Sequence, residues 1–207
     1  MKRILMRMTT SPFDNDNLYS MVSKDKIGSN SGNLLFPYSI MRNIYKDGDV
    51  IDKYPKANEE DADRINENYD LFLIPLANAF RESFVSELRN LTKLIKRLTI
   101  PCVVVGVGLQ TKYEPKKEMK YAFDTDVKNF VEAVLEKSKT LGVRGEITAL
   151  YLKKLGFNES KIEVIGCPSM FTWGGNLPRK IPFYLTNKTA VSISYHGNAD
   201  SYFNFLE

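Results

Sequence analysis

The sequence predicts an α/β fold, a doubly wound parallel sheet of the Rossmann-like kind, followed by the beginning of a second domain. Two observations carry the first part. Short apolar runs rich in β-formers alternate with stretches of helical periodicity over roughly the first 170 residues, the pattern of parallel strands joined by crossover helices. Small or polar residues follow directly on most of those runs, where an open parallel sheet carries its ligands. The second part rests on length: 207 residues exceed one typical domain of about 150 and fall short of two.

The elements follow in order. Residues 3–8 read as a first strand, and Ser11, Pro12, Asp14, Asn15 and Asp16 as a polar loop in which the aspartates form turns rather than a carboxylate pair. Gly28 to Asn33 opens a helix whose face is Leu34, Leu35, Tyr38, Met41 and Tyr45. Residues 50–54 are a short strand, 61–68 a polar helix and 71–77 a strong strand. Phe84, Leu88, Leu91, Ile95 and Leu98 recur at helical spacing and lead into a strand at 102–105. Val127, Phe130, Val131, Val134 and Leu135 form the next helical stripe. A strand at 141–144, a helix at 146–155 with Gly156 as its C-cap, and a strand at 162–165 complete six strands. Gly174, Gly175, Pro178 and Pro182 then punctuate a linker, and residues 190–195 alternate as one more strand. We read 1–175 as a whole domain and 176–207 as a linker with the first strand of an incomplete second one. The alternative is a last strand that completes the first sheet.

Composition narrows the function classes. Apolar residues at 43% and charged residues at 26% are ordinary for a globular protein. The longest apolar stretch, residues 101–109, is far short of the roughly 20 residues of a membrane-spanning helix. The net charge of +4 is spread thinly, and the densest basic stretch, 112–120, is broken by Glu114 and Glu118, so no nucleic-acid face is expected. Two cysteines suit free thiols in a reducing, cytoplasmic setting, and with one histidine they argue against zinc.

The strand ends supply the candidate site: Asn78, Phe80 and Arg81, then Gly106, Gly108 and Gln110, then Arg144, Gly145 and Glu146, and finally Gly166, Cys167, Pro168 and Ser169. Arg144 stands out. A guanidinium at a strand end just before a helix adds a positive fork to the free N–H groups of the helix N-terminus, and together they suit a carboxylate or phosphate. The competing reading pairs Arg144 with Glu146 as a turn cap. Ser29, Asn30, Ser31 and Gly32 let a ligand approach the backbone or form an anion nest, although Ser31 reads equally as an N-cap. The segment is neither a P-loop nor a G-x-G-x-x-G fingerprint. Gly106 and Gly108 read as a tight turn or as half of a dinucleotide turn. Cys167 reads as a small core residue. His196 is a candidate general acid. Phe80, Arg81 and Tyr113 either face a sugar or pack against the sheet.

Taken in order, Ile27 to Asn33, the run Tyr69 to Pro75 leading into Asn78, Pro101 to Gly108, Leu141 to Glu146 before a helix ending in Leu155-Gly156, and Ile165 to Pro168 resemble the polysaccharide pyruvyl transferase family over most of residues 27–195. The family more often carries Asp after that arginine and Asp before that proline, where this chain has Gly145 and Cys167. The resemblance implies the N-terminal half of a bilobal GT-B-type enzyme that moves the enolpyruvyl unit of phosphoenolpyruvate onto sugar hydroxyls as a pyruvate ketal, releasing phosphate. No cofactor is implied beyond that donor substrate, and the partners implied are the donor and a saccharide acceptor. Arg144 with Gly145 corresponds to donor binding. Ser29, Asn30, Ser31, Gly32, Asn78, Arg81, Gly106, Gly108 and Ser169 correspond to the acceptor side or the cleft lining. The matching histidine and lysine lie beyond Glu207, so residues 1–207 are expected not to turn over alone. A GT-B glycosyltransferase using a nucleotide sugar, and a non-catalytic sugar-binding domain, are the other readings of the same pattern.

Overall fold

The strand nearest the N-terminus is central to the sheet. The structure is a computed structural model, and it describes residues 1–27, 30–111 and 120–177. In it β1 (Arg3–Arg7) lies between β2 (Val50–Tyr54) and β3 (Leu71–Pro75), with β4 (Cys102–Val105) outside β3, all parallel. Register runs Ile4 against Ile51 on one side and against Leu71 on the other. β5 (Leu141–Val143) and β6 (Ile162–Val164) form a parallel pair.

A bulge joins the two sets of strands. Gly106 has φ +74° and turns the chain out of β4. The N–H groups of Gly106 and Val107 then both donate to the Gly142 carbonyl, at 2.9 and 3.2 Å, so two residues oppose one. Pairing resumes with Arg144 N–H on the Val107 carbonyl at 2.8 Å. The strands therefore follow one another in the order β2-β1-β3-β4-β5-β6. All six expected strands are present. β2 and β4 end as expected, whereas β1, β3, β5 and β6 end one or two residues earlier, because Met8, Leu76, Arg144 and Ile165 keep single backbone bonds after leaving the regular ladder.

Five of the helices correspond to the expected ones: α2 (Gly32–Ile44), α3 (Ala62–Asn68), α4 (Val85–Arg97), α5 (Asp124–Lys137) and α6 (Glu146–Lys154). α1 (Leu18–Ser23) falls near the end of the expected polar loop. It is too short to show periodicity, and the Asn17 side chain starts it by accepting from Ser20 N–H at 2.7 Å. The face of α2 also differs from expectation. Met41 is buried as expected, but Leu35 and Tyr45 are exposed and Phe36 and Ile40 are buried instead, because Phe36 fills the space beside Gly106 and Pro168. Gly156 is one residue beyond the cap of α6. Its N–H reaches Lys153 O, and Phe157 N–H reaches Leu152 O, the paired bonds of a Schellman ending.

β1 is buried on both faces, as a central parallel strand requires. Leu5 joins the large core with Phe72, Ile74, Leu88, Leu91, Phe130 and Val134 beneath α3 to α6. Ile4 and Met6 point the other way, to Phe36, Ile40 and Met41 of α2. The asymmetry follows from handedness. The β1–β2 crossover moves along the sheet in the opposite direction to every later one, so right-handed connection puts α2 on the opposite face. The 3-10 turn Pro168–Phe171 packs beside α2, with Ser39 and Thr172 hydroxyls 2.7 Å apart. These residues belong to one compact unit, Met1–Leu177. The expected strand at 190–195, Pro178, Pro182, His196 and most of the basic stretch at 112–120 lie outside the described residues.

Asp14 and Asp16 hold the loop after β1 through separate lysines, Lys53 at 2.7 Å and Lys26 at 2.6 Å. Asp14 also accepts from Ser11 N–H at 2.9 Å, and its bond to Lys53 keeps its carboxyl below the usual range. Asp14 closes a turn with Ser11, as expected, while Asp16 is the ion-pair partner of Lys26.

The glycines make a paired prediction. Gly156→Ala, at φ +98° with open space around it, should cost about 1–2 kcal/mol of backbone strain. Gly106→Ala should cost clearly more in urea denaturation, because its new Cβ would also lie 2.9 Å from Pro168 Cδ and 3.0 Å from Phe36 Cζ.

Buried acids make a second. Burial pushes the Tyr54 hydroxyl from 10.0 up to about 12 and the Cys102 thiol from 9.0 up to about 12, and raises Tyr151 as well. Each folded pKa is raised, so the associated stability is complete below the ordinary value and disappears as pH climbs through the folded one. Urea midpoints should fall from pH 9 towards 12. The double variant Tyr54→Phe, Tyr151→Phe should start lower at neutral pH and show a shallower alkaline decline.

Candidate functional site

A crevice of about 540 Å³ opens at the carboxyl edge of the sheet. It sits over the ends of β1 and β3, where the crossover direction reverses and open α/β sheets bind ligands. Arg7, Met8 and Thr9 reach it from β1, and Pro75, Ala77 and Asn78 from β3. The start of α2 supplies Asn30, Gly32, Asn33, Phe36 and Pro37, while Arg144 enters after β5 and Cys167 and Ser169 after β6.

Arg144 is fixed from three directions. Its backbone N–H is tied to Val107 by the bulge, and its Nη1 donates to Asn78 Oδ1 at 3.0 Å. Its guanidinium lies 5.4 Å from the centre of the Phe36 ring, a cation–π contact. Its Nε is buried without a hydrogen-bond partner. Glu146 is exposed on the first turn of α6 and forms no ion pair with Arg144, so the turn-cap reading is not what the structure contains. The positive fork stays free to meet an anion.

Gly108 stands behind this arrangement. A Cβ there would lie 3.2 Å from Ala77 O, 3.4 Å from Asn78 Oδ1 and 3.8 Å from Arg144 Cβ. The missing side chain leaves room for the Asn78–Arg144 bond. Gly106 acts likewise behind Phe36 and Pro168. Neither glycine lines the crevice, nor does Gly145, which is the extended residue before α6.

At the mouth of α2 the Asn30 side chain accepts from Gly32 N–H at 2.8 Å, and a Cβ at residue 32 would sit 2.9 Å from its oxygen and push that side chain aside. Ser31 makes no side-chain cap, in contrast to the N-cap reading, and does not line the crevice. Ser29 and Tyr113 lie outside the described residues. Phe80 packs rather than facing the crevice. It is fully buried, with ring centres 6.3 Å from Phe130 and 6.4 Å from Tyr151. Arg81 stays at the crevice, donating through Nε to Ser83 Oγ at 3.0 Å and through Nη1 to the Asn78 carbonyl. Ser169 anchors the 3-10 turn, its carbonyl accepting from the Thr172 hydroxyl at 2.7 Å.

Arg7, Thr9 and Phe36 were not singled out from the sequence. Arg7 is the last residue of β1, so strand-end residues were the signal, and only the junctions after the later strands looked rich in polar groups. Phe36 was hidden by the apparent face of its helix.

The charge inventory sets the chemistry. Among the described lining residues there are three arginines and no aspartate or glutamate. One carboxylate touches them, Glu87 of α4, whose Oε1 is 3.1 Å from Arg7. Such a crevice favours an anion. It also contains Cys167, which is half-buried, whereas Cys102 is buried with its thiol pushed up by desolvation. A neutral maleimide should therefore label Cys167 and leave Cys102 intact in the native protein, as read by peptide mass spectrometry. Phosphoenolpyruvate should slow the Cys167 reaction if it occupies the crevice.

The strand–arginine–helix segment around Arg144 lies within a long stretch of sequence that resembles a known family. A model of the polysaccharide pyruvyl transferase family matches residues 17–204. No curated protein and no solved structure gives a significant match. The matched span takes in α1 to α6, five of the six strands and every crevice residue beyond Thr9. The chain belongs to the polysaccharide pyruvyl transferase family.

Proposed function

We propose that the chain binds phosphoenolpyruvate through Arg144 and takes part in transferring its pyruvyl unit, as a ketal, to a saccharide of a surface-polysaccharide precursor. Family membership makes it a transferase of the pyruvyl type with a sugar acceptor. The donor, the ketal product and the residues are our reading. One observation supports it above others: the Arg144 guanidinium is oriented by Asn78 Oδ1 and the Phe36 ring, with no carboxylate spending its charge.

In this reading Arg144 holds the donor carboxylate by a charge-assisted fork. A general acid protonates the methylene carbon, and positive charge develops on the carbon bearing the phosphate ester. One sugar hydroxyl attacks that carbon and phosphate leaves with its bonding pair. A second hydroxyl of the same sugar then closes the ketal, and each hydroxyl gives up its proton. The described lining contains no carboxylate, histidine, lysine or tyrosine. We therefore assign the described unit to binding and orientation, with the proton donor outside it, as in one wall of a bilobal GT-B cleft. The free thiols of Cys102 and Cys167 suit a cytoplasmic setting, where phosphoenolpyruvate is available.

Titration calorimetry and a phosphate-release assay test this. Arg144→Ala should lower phosphoenolpyruvate affinity by about tenfold or more, the loss of a charged hydrogen-bonding group, with stability changed by less than about 1 kcal/mol. In the phosphate-release assay with a saccharide acceptor, Arg144→Ala should lower phosphate release in parallel with the loss of donor affinity. Competition by a nucleoside diphosphate, with none by phosphoenolpyruvate, would instead indicate a nucleotide-sugar transferase.

A further inference from the structure

The geometry points to a second oxyanion subsite in the same crevice, formed by Arg7 and Arg81 across the ring of Phe84 and suited to a phosphoryl group. It deepens the reading above by naming a charged group that the substrates bring besides the donor carboxylate.

Arg7 ends β1 and Arg81 lies in the loop after β3, so adjacent strands deliver the two side chains to one place. Phe84 precedes α4, and both guanidinium carbons stand over its ring, at 5.4 Å for Arg7 and 5.3 Å for Arg81. One aromatic ring thus holds two cations of the same crevice without neutralising either. Among the described residues a single carboxylate, Glu87, meets the pair. Arg81 is bonded to Ser83 Oγ, the Asn78 carbonyl and, at 3.4 Å, Gln110 Oε1, all uncharged acceptors. Arg7 has Glu87, but its Nε is buried with no partner although its side chain is only 18% exposed.

Two cations in one crevice, with donors left unused, cost free energy in an empty protein, and a bound phosphoryl group reduces that cost. A purely structural role accounts for the Arg7–Glu87 pair, which ties β1 to α4. It does not account for Arg81 being placed on the same ring with no acid of its own. Arg144, on the Phe36 side, is left to the carboxylate. The phosphoryl group has two possible sources, the donor's phosphate ester or a phosphorylated acceptor.

Calorimetry with inorganic phosphate and with phosphoenolpyruvate, on the whole chain, decides the matter. Arg7→Gln and Arg81→Gln should each weaken phosphate binding by about tenfold. Glu87→Gln should strengthen it about threefold, because it frees Arg7 from a competing carboxylate. A structural ion pair predicts no gain there, so this variant separates the two roles even if Arg7→Gln unfolds. If the phosphoryl group is the donor's, phosphoenolpyruvate affinity falls in parallel with phosphate affinity. If it is the acceptor's, phosphoenolpyruvate affinity holds, and a sugar phosphate binds more weakly to the variants while the neutral sugar does not. Unchanged phosphate binding in Arg81→Gln and Glu87→Gln overturns the subsite, and Arg144-dependent phosphoenolpyruvate binding would then still support the proposed function. Phosphate bound by Arg7 and Arg81, with no contribution from Arg144 to phosphoenolpyruvate binding, supports the subsite and removes the pyruvyl-donor reading.

Discussion

The positive φ at Gly106 is the constraint on which the rest of the structure depends. It ends β4, starts the bulge that gives Gly142 O two donors, and so lets β5 and β6 extend the sheet at all. The same missing Cβ admits Phe36 from one side and Pro168 from the other. Those contacts fix the face of α2 and the position of the turn after β6. Bulges concentrate beside functional sites because they re-aim neighbouring side chains. Here the bulge re-aims Arg144, whose backbone is bonded to the residue after the glycine.

Cations in this crevice are oriented mainly by neutral groups. Phe36 backs Arg144 and Phe84 backs Arg7 and Arg81, while Asn78 orients two of the three through its amide oxygen and its carbonyl. Elsewhere the same protein uses carboxylates for this purpose, as with Arg89 and Asp126 at 2.6 Å. The difference has an electrostatic consequence. A guanidinium held by a ring and an amide keeps its charge for a ligand, whereas one held by a carboxylate has already used it. Glu87 is the single exception among the described contacts of these three arginines.

The crevice takes its place from topology before chemistry. One crossover runs against the others, so α2 alone among the longer helices covers its face, and the sheet edge between β1 and β3 is open to solvent. The residues that enter it come from widely separated parts of the chain, from Arg7 to Ser169. Cores on both faces hold the strands rigidly beneath them, and burying each large side chain contributes about 1.5–3 kcal/mol to that rigidity. The site therefore rests on strand ends and helix starts rather than on long loops.

Sequence alone determined the strands, the long helices and the ends at which ligands bind, because periodicity and glycine placement are local properties. Short apolar runs rich in β-formers located all six strands, and helical spacing located α4 and α5. It also singled out Arg144, Asn78, Arg81 and Ser169, which the fold brings to one crevice. Tertiary structure decided the rest. The face of α2 depended on the space beside Gly106, which no helical wheel contains. Phe80 followed a strand like the polar candidates but was drawn into the core by Phe130 and Tyr151. Arg7 became a crevice residue only when β3 brought Arg81 and Phe84 beside it. Gly106 and Gly108 make room for other side chains and lie behind the crevice. Local pattern determines which backbone forms, but which side chains share a space depends on contacts between residues far apart in the chain.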